Sequence, residues 1–104
     1  MTLRDLIERL EKEKDHPVRY GFEGWHSWRG SYELLAFKPV ENTTVGRMLV
    51  SAKSALGGTL FGYKGGEFVV DEDREVYLTN DYREWRNDDQ FTFRHLELML
   101  MVRE

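Results

Sequence analysis

Between Tyr20 and Phe37, six of eighteen residues are aromatic: Tyr20, Phe22, Trp25, Trp28, Tyr32 and Phe37. Set among them are His26, Ser27, Arg29 and Ser31, with Gly24 and Gly30 loosening the backbone. Flat rings beside an arginine make a surface for a planar group. Stacking contributes roughly 1–3 kcal/mol per nucleic-acid base, and a guanidinium forks onto phosphate or carboxylate. In this reading Arg29 pairs with the anionic part of a ligand, Trp25 or Trp28 stacks on it, and His26 and Tyr32 hydrogen-bond to it. Lys64, beside Gly65-Gly66, adds a cation on a second glycine-rich tip. The same residues also have a plainer use, in which Trp25 or Trp28 covers the core and Arg29 lies on a ring at the surface.

Other signatures of chemistry fail on spacing. The run from Gly57 to Lys64 lacks the Gly-Lys-Ser/Thr end of a phosphate loop, and it follows a helical pattern where a phosphate loop would open one. His16, His26 and His95 share no ligand spacing. Asp71 and Asp73 resemble the start of a calcium loop, but Val76 and Tyr82 stand where its glycine and distal acid belong. Trp25-His26-Ser27-Trp28 lacks the glycines of a nucleophile elbow. Neighbouring His26 and Ser27 would also point different ways on an extended chain. With no cysteine, thiolate metal sites, disulfides and cysteine nucleophiles are excluded. The expectation is a site without catalytic residues, metal or cofactor.

Charge narrows the partners. The net charge is −4, and it is unevenly placed. Residues 1–54 hold nine Lys/Arg against eight Asp/Glu, whereas residues 55–104 hold six against eleven. A duplex-binding protein concentrates basic side chains on one face to neutralise phosphates. Here Asp71, Glu72, Asp73 and Glu75, then Asp88 and Asp89, would repel a nucleic-acid backbone. The charged N-terminal residues do not read as a signal peptide, and no apolar run approaches the ~20 residues that span a bilayer. A cytoplasmic protein with no membrane partner is expected.

The elements that must position these residues follow from periodicity. Leu3, Leu6, Ile7 and Leu10 make one apolar stripe, so residues 2–14 read as a helix, with Thr2 as cap and Asp5 at capping-box spacing. Val18–Phe22 reads as a strand ended by Glu23-Gly24, residues 24–31 as a loop, and Tyr32–Phe37 as a strand terminated by Pro39. A second helix is capped by Thr43 or Thr44, buries Val45, Met48, Leu49, Ala52 and Leu56, and stops at Gly57-Gly58. Thr59–Lys64 and Glu67–Val70 form a hairpin about Gly65-Gly66, and Val76–Thr79 a further strand. Tyr82–Trp85 is ambiguous, and Asn87-Asp88-Asp89 reads as a turn. From Phe91 to Val102 apolar residues alternate as in a long strand, with a helix from Leu96 as the competing reading. At 104 residues the chain, 1–104, is one domain. The expected class is α+β, one antiparallel sheet of about five strands with two helices packed on it.

Trp28-Arg29-Gly30-Ser31-Tyr32 followed by Leu35-Ala36-Phe37-Lys38-Pro39 resembles a group of small accessory proteins of tailed bacteriophages. Thr44-Val45-Gly46, Met48-Leu49, Ala55-Leu56-Gly57 and Gly62-Tyr63-Lys64-Gly65-Gly66 continue the likeness, which spans roughly residues 20–80. Trp28 and Ser31 depart from the group's usual residues there, which implies a different ligand preference. The resemblance implies a non-enzymatic protein of the host-cell cytoplasm that binds a small planar or phosphorylated, nucleotide-like ligand to counter host defence. A homodimer would deepen such a pocket. Two alternatives stand beside this one. In the first the same aromatics dock on a host enzyme; in the second the chain is a small enzyme acting on nucleotide or nucleic acid, with His26 as acid or base.

Overall fold

A computed structural model of the chain describes residues 1–27, 35–61, 67–78 and 90–102. Among them are three helices and five strands in the order α1 (Leu3–Glu11), β1 (Pro17–Ser27), β2 (Leu35–Thr44), α2 (Val45–Ala55), β3 (Thr59–Phe61), β4 (Glu67–Val69), β5 (Val76–Leu78) and α3 (Phe93–Met101). The α+β class is as expected. The sheet is not: its described strands divide into a three-stranded sheet, β1-β2-β5, and a separate β3-β4 hairpin. The larger sheet is mixed, because β2 runs antiparallel to β1 but parallel to β5.

Local signals account for the first two helices. Thr2 Oγ1 accepts from the Asp5 amide at 3.2 Å, and the Asp5 carboxylate accepts from the Thr2 amide at 3.0 Å, so the capping box closes both ways. The Thr2 amide bond, with the Thr2 hydroxyl beside it, holds the Asp5 carboxyl below its ordinary range. Leu3, Leu6 and Leu10 then bury the inner face of α1. Thr44, rather than Thr43, caps α2 and accepts from the Arg47 amide at 3.1 Å. Gly57, at φ +79°, takes the left-handed turn that ends this helix.

Three expectations change. Gly24–Ser27 is not a loop but the continuation of β1, across a bulge where the register slips one residue between Glu23 and Trp25. Gly24, at φ +71°, is the extra residue, a conformation few other residues tolerate. Pro39 does not end β2, which runs on to Thr44. Among the described residues the β5 pairing covers Leu35, Ala36 and Phe37 and stops short of Pro39, which lies opposite Phe22 of β1.

The third change is the largest. Phe91–Val102 is not a strand: a third helix, α3, occupies Phe93–Met101. Thr92 caps it, accepting from the His95 amide at 3.2 Å. Leu96, Met99 and Leu100 are the side chains it buries, a helical spacing hidden within the period-two alternation of leucines. Leucine and methionine also form helices more readily than strands.

The core gathers Leu3, Leu6 and Leu10 of α1 with Phe22, Phe37 and Phe91 and the inner sides of α2 and α3. Phe22 lies 4.7 Å from Phe37, and Phe91 meets Phe22 edge-on at 5.5 Å. The chain's N-terminus is sewn into the same layer. The Leu3 amide donates to Arg74 O, Val76 donates to Met1 O, and the terminal ammonium pairs with Glu75 at 3.0 Å. Among the described residues no helix is long and apolar enough to cross a membrane.

Candidate functional site

Of the six residues singled out by type and spacing, Trp25 and His26 are described; Trp28, Arg29, Tyr32 and Lys64 lie outside the described residues. Trp25 pairs with Phe37 and His26 with Ala36, so consecutive side chains leave opposite faces of the β1–β2 ribbon. Trp25 turns toward α2. Its indole N–H donates to Ser54 Oγ at 3.1 Å, and the Gly24 amide donates to Ser51 Oγ at 3.2 Å. These two serines, three residues apart on one face of α2, fasten the bulge to the helix. The indole also packs against the core and lies so close to Gly58 that a Cβ there would meet Trp25 Cζ2 at 2.8 Å. Trp25 therefore spends its polar atom and much of its ring on the fold.

A concave site lies elsewhere, between the sheet and α3. It is a groove of about 480 Å³, within the range of roughly 300–1,000 Å³ usual for small-molecule sites. The sheet supplies Tyr20 from β1, Pro39 to Glu41 from β2 and Leu78 from β5. α3 supplies His95, Leu98, Met99 and Val102, spaced i, i+3, i+4 and i+7, so they form one continuous stripe. The Phe91–His95 ring contact at 5.5 Å ties the start of this stripe to the core. The Arg19 amide donates to Val102 O at 3.2 Å and ties its end to β1.

The polar groups of the groove are few. Tyr20 and Glu41 are Cα partners across the β1–β2 ladder, which brings their Cβ atoms to about 5 Å. Tyr20 is 50 % exposed, and the Arg19 guanidinium sits 5.3 Å from its ring centre. Among the described residues, no lysine or arginine lines the groove. Among the described residues, no three His, Asp or Glu side chains converge as metal ligands.

The sequence reading placed Tyr20 in the aromatic run but missed the rest of the groove. Its signal was present, since His95, Leu98, Met99 and Val102 mark a helical stripe. It is hidden once the segment is read as a strand.

The chain matches no protein-family model, no curated protein and no solved structure.

Proposed function

We propose that this chain is a small-ligand binding protein, and that the ligand seats in the groove between the β1–β2–β5 sheet and α3. The observation that carries the reading is the groove itself. It pairs a largely apolar lining with a few polar side chains at an exposed opening, the usual composition of such sites. Of the two ligand chemistries suggested by the aromatic run, a planar apolar body suits this lining. A phosphate suits it less, because the described lining offers a carboxylate and neither lysine nor arginine. The likeness to phage accessory proteins supplies a setting, sequestration of a host metabolite, and remains part of the proposal.

Titration of ¹⁵N-labelled protein with 2-methylquinoline and, separately, with adenosine monophosphate tests it. Shifts centred on Tyr20, Leu78, Leu98 and Val102 with the quinoline, lost in Leu98→Asp, are the expected result. Shifts centred on residues 25–32 with the nucleotide would return the site to the aromatic run. A second reading, docking on a protein, is favoured by the exposure of Phe93 and Met101 on α3, at 50 % and 74 %. It predicts capture by a host enzyme that Phe93→Ser with Met101→Ser abolishes while quinoline binding persists.

A further inference from the structure

We propose that the groove selects an amphipathic cation: a flat apolar body carrying one positively charged nitrogen that pairs with Glu41. The inference rests on the groove reading above and adds a charge to its ligand.

Glu41 stands on the strand that forms the groove's floor, directly across the ladder from Tyr20. Its carboxylate has no hydrogen bond or ion pair among the described residues, unlike Glu72, Glu75 and Glu97, each held by a cationic partner. The other described lining side chains are mostly apolar, Pro39, Val40, Leu78, Leu98, Met99 and Val102, with His95 of α3 the one further titratable group besides Tyr20. A carboxylate beside such a low-dielectric wall keeps more of its field than one in open water. The ring of Tyr20 already receives a cation, since Arg19 lies 5.3 Å from its centre. A ligand cation at Glu41 would meet the same ring and the same carboxylate. Arg19 would then compete with it, as the nearest like charge on β1. The net charge of −4 favours approach of a cation over that of an anion.

Three probes of nearly equal shape separate the charge from the shape: 4-amino-2-methylquinoline, a cation at pH 7.5; 2-methylquinoline, neutral there; and quinoline-2-carboxylate, an anion. Affinities are measured by calorimetry or by chemical-shift titration at low salt. The expected order is cation, neutral, anion. Glu41→Gln should weaken the cation about three- to tenfold while leaving the neutral probe unchanged. Arg19→Ala should strengthen the cation about twofold. Equal affinity for cation and neutral probe, or a cation preference that survives Glu41→Gln, overturns the inference while leaving the groove reading in place. Failure of all three probes to bind overturns both.

Discussion

α1 and α3 are each nine residues long, and each opens on a threonine cap, yet they use their outer faces in opposite ways. α1 is amphipathic: three leucines go inward, and its two outward arginines find partners. Arg4 pairs with Glu72 and Asp73, and Arg9 with Glu13 and Glu97. α3 buries Leu96, Met99 and Leu100 but leaves Phe93, Leu98 and Met101 half exposed or more. A helix that is apolar on both sides is ordinarily covered on both. The contrast teaches where to look for function: α1 completes the fold, whereas α3 completes it with one side and leaves the other apolar and exposed.

The comparison breaks most visibly in the core. Leu6→Ala and Leu96→Ala, each at a fully buried position, should cost about 2–5 kcal/mol apiece in urea unfolding. Leu98→Ala on the outer side of α3 should stay within about 0.5 kcal/mol of the parent. A Leu98 variant as unstable as the Leu96 variant would mean that α3 has no free side.

The caps give the next effect. Thr2→Ala combined with Asp5→Ala should cost about 1–2 kcal/mol, because together they remove both bonds of the capping box. Thr92→Ala removes a single bond to the His95 amide and should cost about 0.5–1 kcal/mol. Equal losses, read from paired thermal melts, would deny the reciprocal bond its role.

The smallest effect sits where the two helices meet. The hydrogen bond from Arg9 holds the Glu97 carboxyl below its ordinary value of 4.5 and raises Arg9 in return. Glu97 is about half exposed, so the pair should be worth less than about 1 kcal/mol. Its sign follows from the depressed carboxyl. The contribution is full above the ordinary carboxyl range and fades as pH falls through the lowered value. Glu97→Gln should therefore lower stability slightly at pH 7, lose that deficit in acid, and show a smaller deficit in 1 M salt. A deficit that persists at low pH would assign Glu97 to packing instead.

Much of the fold was legible where the signal is local. The Thr2-Asp5 box, the cap at Thr44, the stop at Gly57 and the β3–β4 pairing all involve residues close in sequence, and all were readable from type and spacing. The site was less legible. Trp25 was a candidate for stacking and turned out to be bonded to Ser54, twenty-nine residues away. Glu41 drew no notice in the sequence, and only its register opposite Tyr20 brought it to the groove.

By itself, then, the sequence determined the class of the fold, the first two helices and the hairpin, because caps, apolar period and glycine turns act within a few residues of the chain. Tertiary structure decided the fates of Gly24–Ser27, Pro39 and Phe91–Val102. The bulge is received by Ser51 and Ser54 of α2, and Pro39 sits beyond the β2 residues that pair with the described part of β5. A run of alternating leucines satisfies both periods, so what selects the helix is what it packs on. Against Phe22, Phe91 and the leucines of α1, burying Leu96, Met99 and Leu100 together requires the helical spacing, and that choice opens the groove.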